Sequence, residues 1–242
     1  MSTAPSTPTV SQSQQNTGGE YKSVTPHYVG EVDQMLTNGI LLMNAGRHED
    51  AISTYFKRLI AYYESQYAGS NRKVFSSCRQ REAAHYLAQA ARIDPQTKAV
   101  VVHSEYAMAH CLMGHALLEL GHPEEARIAI LKAAELAPEN LEILIELGHI
   151  HRICKDFESA LAAFERVEPA ARKFPPIGFV YELIRGWRGM GRTLIEMNNL
   201  GKAHAYFRKC YRVDPQDRIV LAELDHIWSL QRKARERKAR AR

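Results

Sequence analysis

One spacing recurs four times along this chain: a Gly follows a bulky or apolar residue, and an Ala stands twelve positions after the Gly. The four pairs are Gly39 and Ala51, Gly114 and Ala126, Gly148 and Ala160, and Gly191 and Ala203. Because two antiparallel helices approach closely only where their facing side chains are small, we expect the Gly and the Ala of each pair to meet at a helix contact. A fixed offset of this kind predicts a repeated helical hairpin.

Large residues stand at fixed positions around these pairs. In the clearest unit they are Trp187, Met190, Leu194, Phe207 and a closing Pro215, which cannot continue a helix. The pattern resembles that of the tetratricopeptide repeat (TPR) family, with its best match at residues 184–217 and a total extent of roughly residues 31–217. The resemblance implies an all-α fold, a right-handed α-solenoid of antiparallel helix pairs with about four to five repeats.

The repeats are unevenly spaced, which makes the expected array irregular. Gly114 and Gly148 are 34 residues apart, Gly148 and Gly191 are 43 apart, and Gly39 and Gly114 are 75 apart. Two consecutive prolines predict a loop at residues 173–176. The longest gap has room for a degenerate unit, with a helix before Asp94 and a turn at residues 68–71.

Within that longest gap, two stretches are interpreted as extensions of neighbouring helices. Residues 49–67 are expected to form one overlong second helix of the first repeat. Residues 98–106 are expected to prolong the helix that contains Gly114. Whether residues 64–77 form a degenerate repeat helix stays open at this stage.

The two ends of the chain differ from its middle. Residues 1–26 are dominated by Ser, Thr, Pro, Gln and Asn, and we expect them to be disordered because they bury too little apolar surface. We assign residues 27–217 to the repeat domain, residues 218–230 to an amphipathic capping helix and residues 231–242 to a basic tail. With no secretory signal and no apolar spanning segment in the sequence, we expect a cytoplasmic protein.

The basic tail accounts for the net charge of +5, because residues 231–242 carry seven basic residues and one acidic residue. It is either a solvated helix end or a contact for acidic protein, nucleic acid or an anionic membrane. The absence of interleaved aromatic residues disfavours single-stranded nucleic acid. The candidate polyanion contacts are Arg232, Lys233, Arg235, Arg237 and Lys238.

Helical spacing selects the residues that would line the concave surface, which is formed mainly by the first helix of each pair. Repeat by repeat, the candidates for binding a partner are Leu36 and Ile40; Met108, Cys111 and His115; Glu142, Ile145 and His149; and Arg185, Arg188 and Arg192. The groove is thus expected to be apolar at its N-terminal end and cationic at its C-terminal end. The arginines could bind a carboxylate or a phosphate, or they could pair with Glu142, Glu146 and Glu182 within the chain.

The resemblance and the groove together favour a protein–protein interaction module or scaffold. Its partner would be an extended or helical segment of another protein, acidic where it meets the arginines. A dedicated chaperone or assembly subunit of a secretion or multiprotein complex is the alternative. Some TPR proteins bind the C-terminal carboxylate of a chaperone peptide through a Lys/Asn clamp, but Leu36 and Ile40 occupy the corresponding positions here, so that activity is not expected.

The sequence offers no pattern of a catalytic or metal site. The four cysteines are spread singly, and each falls on an expected helix where a small apolar residue would serve. His110, Cys111 and His115, or His149 and His151, do not share the helix face that a metal ion requires. We therefore expect no enzyme activity, no bound metal and no cofactor.

Overall fold

The computed structural model describes residues 19–21, 26–175 and 179–240. The expected disorder of residues 1–26 falls mostly outside these ranges, as does Pro176 of the expected proline loop. Helices dominate the described ranges. They are α1 Pro26–Asn44, α2 His48–Asp50, a π-helical segment Ala51–Phe56, α3 Lys57–Tyr67, α4 Gln80–Ile93, α5 Glu105–Glu119, α6 Pro123–Leu136, α7 Leu141–Ile153, α8 Phe157–Glu165, α9 Val167–Lys173, α10 Phe179–Glu196, α11 Leu200–Val213 and α12 Arg218–Arg240.

Consecutive helices pair off through short turns, as the repeated spacing predicts. Helices α5 and α6, α7 and α8, and α10 and α11 each form such a pair. The second helices of two pairs start at side-chain caps, where Asp156 accepts a hydrogen bond from the Ser159 amide and Asn199 accepts one from the Lys202 amide. The predicted fold class of helix pairs is confirmed.

The glycines do lie at close helix contacts, but their main partner is an aromatic ring. A Cβ added to Gly148 would stand 2.6 Å from the Phe164 ring, and one added to Gly191 would stand 2.5 Å from the Phe207 ring. Only at Gly114 is the expected alanine the partner, because the Ala126 carbonyl lies 3.1 Å from the added atom. Each Gly therefore lies at a contact between paired helices, and at Gly148 and Gly191 the nearest atoms belong to the aromatic ring four residues after the Ala.

The first repeat reaches the same contact through a π-helical segment. The repeat pattern places Tyr55 four residues after Ala51, but the ring that faces Gly39 belongs to Phe56, one residue later. Phe56 is fully buried, whereas Tyr55 is only half-buried. The wider turn of Ala51–Phe56 supplies the extra residue that brings Phe56 to Gly39. The helical stretch from His48 to Tyr67 confirms the expected overlong second helix.

A small parallel β-sheet interrupts the helical array, which the sequence analysis did not expect. Its strands are β1 Gly19–Tyr21, β2 Arg72–Ser76 and β3 Lys98–Val102, in the order β1-β3-β2. Helix α4 connects β2 to β3, so that these elements form a β-α-β unit. The predicted helical extension over residues 98–106 is therefore wrong for its first half, and residues 72–76 form a strand.

The central strand β3 is buried on both faces, which explains why these residues form a strand. Val101 packs with Phe75 and Tyr86 beneath α4, whereas Val102 packs with Tyr106 in the core of the helical repeats. A continuous run of β-branched residues suits a strand with two apolar faces. The first repeat packs directly against α5, so the β-α-β unit is an insertion beside the array.

Both ends of the chain contribute more regular structure than the sequence predicts. Gly19–Tyr21 pairs in parallel with Ala99–Val101, so the expectation of disorder is wrong for these three residues. They are ordered because the otherwise free edge of β3 supplies backbone partners. Helix α12 runs without a break to Arg240, so the expected capping helix and basic tail are one helix.

We predict that Gly191→Ala destabilises the protein by about 1 to 3 kcal/mol, because its Cβ would overlap the Phe207 ring. The matched control is Gly201→Ala on α11, where an added Cβ meets nothing within 4 Å. That change is expected to leave stability equal or raise it by up to about 1 kcal/mol. Urea unfolding monitored by circular dichroism measures both, and equal stabilities of the two variants would contradict the contact.

Candidate functional site

The first helices of the pairs form one continuous surface. Helix α1 contacts α5, α5 contacts α7, and α7 contacts α10. We call the accessible face of these helices, with the start of α12, the first-helix surface. Most of the candidate partner contacts from the sequence analysis lie on it.

Two of those residues are buried and do not line this surface. Cys111 is 1% exposed and belongs to the core around α5, and Ile145 is fully buried with Leu144 and Phe164. Helices α5 and α7 have neighbours on both sides, so fewer of their positions reach solvent than the helical spacing suggests. Their assignment as partner contacts is wrong.

The N-terminal end of the first-helix surface offers accessible apolar groups. Ile40 is 37% exposed, and its neighbour Leu41 is 60% exposed. Leu36 and Met108 are half-buried and pack against the core beside them. The predicted apolar end of the surface is therefore present, although only Ile40 of the selected residues is largely open to solvent.

At the other end, the arginines are already engaged by carboxylates. Arg185 binds Glu146 at 2.8 Å and Glu182 at 3.0 Å, as the intramolecular alternative anticipated. His115 Nδ1 lies 3.5 Å from the same Glu146 carboxylate, so one network joins α5, α7 and α10. Glu142 stands next to this network, and no ion pair engages it in the described ranges.

The remaining two arginines are paired with the start of the last helix. Arg188 lies 3.3 Å from Asp217, and Arg192 lies 2.8 Å from Glu223. These partners lie 29 and 31 residues along the chain, Asp217 at the last position of the matched repeat and Glu223 beyond it. Of the two alternatives for the arginines, these contacts favour pairing within the chain, which ties α12 to α10.

The protonation of this network follows from its contacts. The hydrogen bond to Glu146 raises the pKa of His115. Burial would raise the pKa of Glu146, but the hydrogen bond from His115 and the nearby positive charges lower it. Desolvation raises the pKa of Glu142, and the positive charge of Arg185 offsets part of this shift while the charges of Glu182 and Glu146 add to it. The side chain of Glu142 is nevertheless exposed to solvent.

Two histidines that invited a metal hypothesis are held neutral. Burial lowers the pKa of His110 to about 4, with a smaller contribution from Lys132, and neither ring nitrogen of His110 has a hydrogen-bond partner. Burial also lowers the pKa of His149 to about 4. Among the described residues, no group of three or more His, Cys, Asp or Glu side chains could hold a metal ion.

The basic end of α12 is solvated along the described part of its length. Arg232 is widely exposed and lies 3.9 Å from Glu236 on the same helix. Lys233, Arg235 and Arg237 are exposed as well, and the side chain of Lys238 lies outside the described residues. Within the described ranges, no helix combines the length and apolar character needed to cross a bilayer.

Comparison with known proteins identifies the repeats. Tetratricopeptide repeat models match residues 107–140 and residues 185–217. The sequence has no significant match among curated proteins.

Several solved structures share the fold at low sequence identity. A putative kinesin light chain from Podosopora anserina with TPR-like repeats has a TM-score of 0.56 at 10% identity, over 86% of this chain and 90% of that one. The protein pilF of Pseudomonas aeruginosa has a TM-score of 0.54 at 18% identity, over 86% of this chain and 72% of that one. MamA has a TM-score of 0.50 at 14% identity, over 80% of this chain and 84% of that one. The predicted solenoid of helix pairs is thereby confirmed.

We predict that His110 makes the fold acid-sensitive. The unfolded chain protonates this side chain near pH 6.5, whereas the native state resists protonation down to about pH 4, so its contribution to stability is lost as the pH falls through this interval. His110→Phe keeps a ring in the core and removes the titration. Urea unfolding at pH 7 and pH 5 should show that the variant loses about 2 kcal/mol less than the wild type. Equal losses would contradict the neutral buried imidazole.

Proposed function

Since tetratricopeptide repeat models match two stretches of this chain and its helix pairs form a solenoid, we propose that it is an interaction scaffold that binds a segment of a partner protein on the first-helix surface. The repeat array itself supports a role in protein–protein interaction. The choice of surface rests on the accessible groups of α1, α5, α7 and α10, and the chemistry of the partner follows from their charges.

The observation that carries this proposal is the unpaired carboxylate of Glu142. Three arginines on the surface face five carboxylates, those of Glu142, Glu146, Glu182, Asp217 and Glu223. Around these side chains the carboxylates therefore outnumber the arginines, and no ion pair engages Glu142 within the described ranges. A carboxylate whose pKa is raised by its surroundings is stabilised when a cation approaches it.

The partner segment that fits this surface is apolar at one end and basic at the other. Apolar side chains would cover Ile40, Leu36 and Met108, and a Lys or Arg would lie against Glu142. An acidic segment, as the sequence alone suggested, would have to displace Asp217 or Glu223 from the arginines. Leaving those carboxylates without their partners would cost more than the new contact returns.

A random peptide library displayed on phage, selected on the full chain, tests the proposal. We expect enriched peptides to combine an apolar stretch with Lys or Arg. Glu142→Lys should weaken their binding by about tenfold or more, because a like charge then faces the basic residue. The matched control is Glu158→Lys on α8, an exposed position away from the first-helix surface, which should leave the affinity unchanged.

Two results would contradict this function. Enrichment of acidic peptides that no longer bind the Arg185→Ser variant would instead support a cationic binding groove. Equal effects of Glu142→Lys and Glu158→Lys would place binding elsewhere. The dedicated chaperone alternative is separated by capture from native lysate, because a scaffold should retain several proteins through Ile40 and Glu142, whereas a dedicated chaperone should retain one.

A further inference from the structure

A second concave site lies on the opposite side of the array, between the inserted β-α-β unit and the second helices. It is a cavity of about 1060 Å³, walled by β2 and α4 on one side and by α6, α8 and α9 on the other. Its apolar floor includes Phe75, Leu136, Leu144 and Ala170. No residue of the first-helix surface lines this cavity, so it is separate from the proposed partner site.

The cavity opens onto an edge of the sheet. Arg72, Lys73, Val74 and Phe75 all line it, although consecutive side chains of a strand point to opposite faces. Four consecutive residues can meet one cavity only where the cavity borders the strand's edge. The other edge of β2 is taken by β3, which pairs with it from Arg72 to Ser76.

That edge of β2 is accessible where the cavity meets it. Lys73 is exposed and Val74 is half-buried, whereas Phe75 is buried beneath α4 and Ser76 is buried where its hydroxyl accepts a hydrogen bond from the Ala107 amide of α5. In a parallel pair, the amide and carbonyl groups of alternate residues point away from the neighbouring strand. An extended peptide that enters the cavity can therefore pair with these backbone groups, as in strand addition to other sheets.

The walls are fixed before any ligand arrives. The Tyr86 hydroxyl donates to Glu82 at 2.7 Å and accepts a hydrogen bond from the Glu139 amide at 3.1 Å, which ties α4 to the α6–α7 turn. Lys173 at the end of α9 binds Glu139 at 2.8 Å. A preformed site loses less conformational entropy on binding than one that must close around its ligand.

The charges around the cavity favour an acidic occupant. Besides Arg72, four basic residues line it, namely Lys73, Lys132, Arg166 and Lys173, against three glutamates. Two of the glutamates are already paired, Glu135 with Lys132 at 3.2 Å and Glu139 with Lys173 at 2.8 Å. The surplus is therefore positive. On α4, Ile93 is 72% exposed and supplies an apolar contact beside it.

We propose that this cavity binds an extended, acidic segment of a partner protein, which pairs as a fourth strand with the edge of β2 at Lys73 and Val74, on the side away from β3. One face of the added strand covers Ile93 and the apolar floor, and the other face carries Asp or Glu toward the basic rim. Because successive side chains of a strand point to opposite faces, the bound segment should alternate apolar and acidic residues.

A phage-displayed random peptide library, selected on Glu142→Lys protein so that the first-helix surface is impaired, tests this site independently of the proposed function. Enriched peptides should alternate apolar and acidic residues. Their synthetic forms should bind the full chain about fivefold to tenfold more weakly in Lys73→Glu. The control Lys57→Glu makes the same charge change at an exposed position of α3 outside the cavity and should leave binding unchanged.

Amide hydrogen exchange identifies the mode of binding. Strand addition should slow the exchange of outward-pointing β2 amides by about tenfold or more when the peptide is present, since those groups gain hydrogen-bond partners. If the peptide binds but the β2 amides exchange as fast as before, the peptide does not add a strand, and the proposal is overturned. Equal affinities of the Lys73→Glu and Lys57→Glu variants, or a selection without alternating acidic peptides, would overturn it as well.

Discussion

The close approach of a glycine to an aromatic ring sets the geometry of three of the helix pairs. Phe56 lies against Gly39, Phe164 against Gly148 and Phe207 against Gly191. A ring on one helix can lie flat against the backbone of the next only where that helix lacks a side chain. Phe164 also touches Gly189 on α10, so one ring joins two successive repeats. The stacking of the array depends on these contacts, which leave no room for a methyl group.

The spacing of small residues predicted the helix pairs because that spacing is a property of the contact itself. It could not identify the contact partner, since Ala and the aromatic four residues later lie on the same helix face. The sheet was missed for a different reason. Ala99, Val100, Val101 and Val102 directly precede a strong helix, and only burial on both faces distinguishes such a run from the start of that helix. Gly19–Tyr21 could not be foreseen, because its order depends on β3.

In the candidate site as well, the sequence predicted the positions of the residues but not their partners. Helical spacing placed the three arginines on one face, but their charge is balanced by residues that other elements supply. Asp217 and Glu223 belong to the start of α12, and no local pattern connects them to Arg188 and Arg192. The charge that a repeat surface presents therefore depends on the neighbouring helices as well as on the helix that carries the residues.

The feature that most needs a direct test is the parallel sheet inserted beside the repeat array. Amide hydrogen exchange measured residue by residue tests it directly. If the account is right, the amides of Val100 and Val101 exchange as slowly as those in the middle of α7, because β3 has a strand on each side and apolar packing on both faces. Fast exchange of these amides, at the rate of an exposed loop, would contradict the inserted sheet and the strand-edge site that depends on it.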